Sequence, residues 1–154
     1  MRATVNQNQI AFVPATDDDF EELFALRMAA MHDSLERIGR LDAIRSRERF
    51  EKTFTPGETR KILLSEECIG FFSISPVDDG LLLGHLYVHP NHQGSGIGTV
   101  TLRQVIAKAN AEQLPLRLCA LRGSESNNFY QRHGFVQTDE QEWDIYYERP
   151  PDAI

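Results

Sequence analysis

Long apolar runs are missing from this sequence: no stretch approaches the roughly 20 residues that a membrane-spanning helix needs. The N-terminal MRATVNQNQI has nothing like the hydrophobic core of a signal peptide, so a cytoplasmic protein without membrane attachment is expected. Cysteine is scarce too. Cys68 and Cys119 are the only two, and both sit in apolar, strand-like runs that read as reduced core thiols. His85, His89 and His92 have no cysteine or carboxylate at ligand spacing, so no metal site is expected. A basic excess is absent as well: 16 Lys and Arg stand against 23 Asp and Glu, a net charge of −7. That balance argues against nucleic acid as a partner, because phosphate backbones are bound through surplus cations.

What is present suits one globular domain spanning residues 1–154, with 41% hydrophobic and 25% charged residues. The charge is unevenly spread. Residues 27–61 carry a balance of +3 and the remainder −10. A solvated helical face explains this simply. The alternative is that Arg27, Arg37 or Arg40 meets an anionic group on a ligand, and the sequence leaves both readings open.

Along the chain the pattern alternates in type. Residues 10–13 read as a short strand ending at Pro14. Thr16 caps a helix whose first turn holds Asp17, Asp18 and Asp19, and whose stripe is Phe20, Leu23, Phe24, Met28, Met31 and Leu35. Residues 40–53 read as a second, polar helix closed by Pro56-Gly57. Three strands follow at about 59–65, 68–75 and 81–88. A long helix over about 96–112 is buried through Ile97, Val100, Val105, Ile106 and Ala109. Then come a strand over 116–121, a short helix near 125–132 with Gly134 as its C-terminal cap, and strands near 135–138 and 142–148. The class expected is a mixed α/β domain.

The stretch HPNHQGSGIGTV carries the strongest signal. Glycines stand at 94, 96 and 98, directly ahead of the long helix. Free amides at a helix N-terminus, with the positive end of the dipole behind them, suit a phosphate, and glycine lets it come close. Ser95 and Thr99 add hydroxyl donors to the same place. A ligand-free turn is the competing reading. The spacing lacks the third glycine of GxGxxG and the Lys-Ser/Thr of a P-loop, which disfavours a dinucleotide or P-loop nucleotide site.

Val88-His-Pro-Asn-His-Gln93-Gly-Ser-Gly96-Ile-Gly98-Thr99 resembles the acetyl-CoA signature of the GNAT superfamily of N-acetyltransferases, a strand ending in Val-x-Pro and then Gln/Arg-x-x-Gly-x-Gly/Ala. Downstream, Asn128-Phe129-Tyr130-Gln-Arg-His-Gly134-Phe135 is similar to the family's Phe-Tyr-x-x-x-Gly-Phe segment. The element order agrees over roughly 10–148. The resemblance implies a GNAT-like fold: a central, mostly antiparallel sheet with splayed strands and about four helices.

It also implies a chemistry. The acetyl-CoA pyrophosphate would rest on Gln93, Gly94, Ser95, Gly96, Ile97, Gly98 and Thr99. The pantetheine arm would run beside Leu86 and Val88, between the strands that hold Val88 and Cys119. A primary amine would attack the thioester directly, leaving the cysteines without a nucleophilic role. Tyr130 matches the general acid that protonates the departing thiolate, for which a phenol of ordinary pKa ~10 is suited. A base is also needed. His85, two residues from Tyr87 on the same strand face, is one candidate, Glu125 another, and a water chain a third.

One departure concerns the family's Asn-x-x-Ala-x-x-Phe-Tyr: the positions here are Gly123, Ser126, Phe129 and Tyr130. The asparagine that contacts the pantetheine arm is missing, and Ser124, Asn127 or Asn128 would have to replace it. The acceptor is open among peptide N-termini, lysine, polyamines, amino acids and aminoglycosides, with Asp33, Glu36 and Asp144 as candidates to hold the amine. A homodimer built from the C-terminal strands would suit the Trp143–Tyr147 run. A noncatalytic acyl-CoA-binding module on the same fold is the alternative to an enzyme.

Overall fold

The computed structural model describes residues 9–153. Its strands are β1 (Ile10–Pro14), β2 (Thr59–Leu64), β3 (Glu67–Val77), β4 (Gly80–Val88), β5 (Leu116–Leu121), β6 (Val136–Glu140) and β7 (Asp144–Arg149). Its helices are α1 (Phe20–Arg37), α2 (Ala43–Thr53), α3 (Ile97–Glu112) and α4 (Ser126–Arg132). The strands hydrogen-bond in the order β1-β2-β3-β4-β5-β7-β6. The β4–β5 pairing is parallel and the other described ladders are antiparallel, which makes this a mixed α/β fold with a mostly antiparallel sheet. The β4–β5 ladder joins Leu81 to Leu116 and Leu82 to Arg117.

By backbone contacts the chain forms two units. One runs to Ser73 and includes His85–Leu102; the other takes Ile74–Gly84 and the chain from Arg103 onward.

The first unit is organised by aromatic packing. Phe50 on α2 and Phe71 on β3 are fully buried, with Ala15, Leu23 and Leu26 beside them, and Phe20, Phe24, Phe54 and Tyr87 close the cluster. A three-residue turn at Asp17–Asp19 precedes α1, and the Thr16 N–H donates to Asp19 Oδ2 at 2.8 Å. The same carboxylate receives Lys61 Nζ at 3.0 Å, tying this turn to β2. α2 begins later than the sequence suggests, because Asp42 caps it by accepting from the Arg45 N–H at 3.1 Å. At Gly70 a β-carbon would collide with the carbonyl oxygen of Tyr87, so the close approach of β3 to β4 there requires glycine.

Burial along α1 departs from the expected stripe. Leu23 and Leu35 are buried as expected, but Leu26 and Arg27 join them while Met28 and Met31 are half-buried. Along α3 the buried residues are Ile97, Thr101, Leu102, Val105 and Ala109, and Val100 and Ile106 lie at the margin. The Thr101 hydroxyl is accommodated by donating to the Ile97 carbonyl at 2.8 Å.

In the second unit, β5 alternates: Leu116, Leu118 and Ala120 face inward and Cys119 outward. The expectation of a core thiol at 119 is therefore corrected. Cys119 is exposed and Cys68 half-buried, and both are free thiols. Ile145 and Tyr147 of β7 are buried with Tyr130 and Phe135. β7 is paired on both edges, by β5 and β6, so its backbone cannot extend the sheet into a second copy. Gly134 has φ +90° and follows α4 one residue later than expected, His133 being the C-cap. No described helix is long and apolar enough to cross a membrane.

Candidate active site

In the first unit, β4 ends at Val88 and the chain turns sharply. The His89 N–H donates to the Ile69 carbonyl at 2.8 Å, which pins the end of β4 to β3. Pro90–His92 form one tight turn, with His89 Nδ1 accepting from the Asn91 N–H at 3.1 Å. The Gln93 side chain donates back to the Val88 carbonyl at 2.9 Å and closes the loop on the strand.

Gly94 and Gly96 then take φ of +80° and +90°, conformations that side chains resist. Nothing lies within 4 Å of where a Gly94 β-carbon would point. The first helical bond of α3 runs from the Val100 N–H to the Gly96 carbonyl at 3.0 Å. The amides of Ile97, Gly98 and Thr99 therefore precede the first helical bond and have no carbonyl one turn back within α3. Backbone amides placed this way can receive an anion. Ser95 is buried, and its hydroxyl donates to the His92 carbonyl at 2.5 Å. The expected hydroxyl donor at 95 is thus spent inside the loop, where it holds the turn, and what Ser95 offers an anion is its amide.

Next to this strand end lies a polar pair in apolar surroundings. The His85 ring lies 5.5 Å from Phe50, 5.9 Å from Phe71 and 5.8 Å from Tyr87, centroid to centroid. Its Nδ1 is buried and makes no hydrogen bond. Burial, reinforced by the charge of Arg27, pushes its pKa down to about 4, so the imidazole is neutral at pH 7. Arg27 is itself buried, with its Cζ 5.9 Å from the Tyr87 ring centroid, and Nε and Nη1 make no hydrogen bond. Of the three arginines singled out, Arg37 is exposed and Arg40 half-buried; only Arg27 is enclosed. The charge balance named the three together; the four-residue spacing from the buried Leu23 is the pattern that places Arg27 on the inner face of α1.

In the second unit, Tyr130 on α4 is 7% exposed and packs against Phe135 at 5.6 Å and Tyr147 at 6.4 Å. Asn127, one turn earlier, donates its amide to the carbonyls of Leu121 and Ser124, both at 2.9 Å, and accepts from the Tyr147 hydroxyl at 2.8 Å. Both of its amide protons are thus committed to holding the β5–α4 turn. That network was not read from the sequence, since Tyr147 lies 20 residues away. Glu125 is exposed at the start of α4. Among the described residues no group of three or more His, Cys, Asp or Glu could hold a metal ion.

Comparison with known proteins agrees with this architecture. The family model described as "Acetyltransferase (GNAT) domain" matches residues 58–137, more than half of the chain. The chain belongs to the GNAT acetyltransferase family. Among solved structures it is similar to the PaiA N-acetyltransferase of Thermoplasma acidophilum in complex with coenzyme A, with TM-score 0.79, 19% identity, and coverage of 92% of this chain and 98% of that one. An acetyltransferase from Thermus thermophilus gives TM-score 0.72 at 17% identity, covering 97% and 99% of the two chains. Ard1 of Thermoplasma volcanium gives 0.68 at 14%, covering 94% and 99%. At such identities these likenesses show the fold. No curated protein sequence matches the chain.

Proposed function

We propose that this protein transfers the acetyl group of acetyl-CoA directly to a primary amine. The observation that carries the reading is the turn at Gly94–Gly96, which opens α3 with amides outside the helical bonding pattern and open space beside Gly94. These residues fit a pyrophosphate: a backbone cradle recognises the anion without a cationic side chain. A solved GNAT neighbour holding coenzyme A supports the same assignment.

Acetyl-CoA, when bound, supplies a thioester whose C–S bond breaks as the C–N bond to the amine forms. The chain's own residues do the rest. The amides of Gly94–Thr99 hold the phosphates, with Gln93 keeping the loop folded against Val88. The backbone at Leu86 and Val88 lines the pantetheine path. His85, neutral at pH 7, accepts a hydrogen bond from the attacking amine and orients it, and the proton the amine loses passes through a water chain to solvent. Tyr130 gives its phenolic proton to the departing thiolate and is reset from solvent. The network around Asn127 fixes the turn that presents α4. The reading places the enzyme in a reducing cytoplasm, where both thiols stay free.

The test is calorimetric titration with acetyl-CoA, followed by thiol release over an amine panel. Micromolar binding that disappears in Gly96→Val, together with turnover on at least one amine, supports the reading. Binding with no turnover on any amine selects the noncatalytic acyl-CoA module. Absence of acetyl-CoA binding removes the ligand role of the loop.

A further inference from the structure

Arg27 poses an energetic problem that the proposed chemistry leaves unanswered. Its guanidinium is enclosed, and no carboxylate among the described residues lies within ion-pair distance. An unpaired buried charge is strongly destabilising, and a chain that keeps one needs a partner for it. Two other cations near α1 are matched. Lys61 pairs with Asp19 at 3.0 Å, and Arg47 pairs with Glu21 and, at 3.4 Å, with Glu51. Among the described residues Arg27 meets the face of Tyr87 and no carboxylate, and its Nε and Nη1 make no hydrogen bond.

A second orphan stands beside the first. His85 Nδ1 is also buried without a partner, and His85 lies against the same Tyr87 ring, at 5.8 Å, that Arg27 covers at 5.9 Å. One group is a cationic donor with two unmet nitrogens. The other is an imidazole nitrogen that accepts when the ring proton sits on Nε2. Their complement is a small molecule with an anionic group and an N–H donor a few atoms apart.

We propose that the acceptor is a free amino acid, its carboxylate held by the buried Arg27 guanidinium and its amine presented to Nδ1 of His85. This rests on the acetyltransferase reading and names its substrate class. A carboxylate fits better than a phosphate because the neutral imidazole leaves one positive charge to balance, which matches a monoanion and not a dianion. The thioester carbonyl, being neutral, cannot balance it. Polyamines and aminoglycosides bring further cations to a site that already holds one. A lysine side chain in a peptide carries its amine far from any carboxylate of its own.

The experiment compares matched acceptors: L-phenylalanine with phenethylamine, L-leucine with isopentylamine, and L-serine with O-phosphoethanolamine. Wild type and Arg27→Met are assayed by thiol release. The amino acids are also titrated calorimetrically into the CoA-bound protein, a readout that needs no turnover. Acetyl-CoA affinity, measured alongside, isolates any failure of the underlying reading. The expected result is a kcat/KM for amino acids about 100-fold above that for their decarboxylated partners, expressed mainly in KM and erased in Arg27→Met. Amino-acid binding heat should vanish in the same variant while acetyl-CoA affinity persists. Removing an unpaired charge should leave the thermal midpoint of Arg27→Met unchanged or raised, whereas a structural role would lower it. Equal activity within the pairs, a preference that survives Arg27→Met, or no amino-acid binding to the CoA complex would overturn the proposal. Selective use of O-phosphoethanolamine would overturn it in favour of a phosphate-bearing acceptor.

Discussion

The side-chain amide of Gln93 donates to the carbonyl of Val88 at 2.9 Å, five residues back, so an exposed side chain ties the glycine loop to the strand. The strand end is held separately, by His89 on Ile69. Loop closure and strand position are therefore separable by mutation.

Gln93→Ala removes the clasp without touching the core. An exposed hydrogen bond contributes about 1 kcal/mol, so acetyl-CoA affinity should weaken roughly 5- to 10-fold with little change in Tm. Calorimetry beside a thermal melt separates the two effects. Unchanged affinity would show that the loop holds its shape without Gln93.

Tyr130→Phe keeps the ring packed against Phe135 and Tyr147 and removes the phenolic hydroxyl. A general acid typically supplies 10²- to 10⁴-fold, so kcat should fall by about that range with KM for acetyl-CoA preserved. Steady-state kinetics on an active amine measures this, and full activity would take Tyr130 out of the proton pathway.

Asn127→Ala leaves the Leu121 and Ser124 carbonyls and the Tyr147 hydroxyl without their shared partner. Both carbonyls keep a backbone donor, so losing these three bonds from a half-buried turn should cost about 1–3 kcal/mol together. Urea unfolding should show that loss. Tyr147→Phe should cost less, because it withdraws a donor from one acceptor and keeps the ring. A stable Asn127→Ala protein with weakened CoA binding would instead restore Asn127 as a pantetheine contact.

His85 links stability to pH. Above its ordinary pKa of 6.5 the imidazole is neutral in the folded and unfolded chains, and it makes no pH-dependent contribution. Below 6.5 the unfolded chain takes up a proton that the folded chain refuses until about pH 4. Folding stability should therefore fall across that window, by at most about 3 kcal/mol. Denaturant unfolding at pH 7.5 and 4.5 in wild type and His85→Phe isolates this share, since the variant should lose less on acidification.

The order and type of nearly every element could be read from residue patterns, because periodicity and capping are local. Residues 116–121 matched a strand end to end, while boundaries such as the start of α2 shifted to the side chain that caps them. The glycine turn was legible for the same reason: positive φ at 94 and 96 is a property of the residues themselves. Burial was only partly legible. Cys119 looked like a core residue because its neighbours are apolar, yet alternation along β5 turns it outward.

Residue pattern thus determined the mixed α/β class and the glycine-opened start of α3, and the resemblance to a known family marked the residues of its signature. Which charges go unanswered was decided by tertiary structure. Arg27, Arg37 and Arg40 are chemically alike in sequence, and only packing encloses the first and strips two of its nitrogens of partners. Desolvation likewise turned His85 from an ordinary titrating histidine into a neutral one. Both effects depend on what surrounds a side chain in space, and elements distant along the chain supply those surroundings.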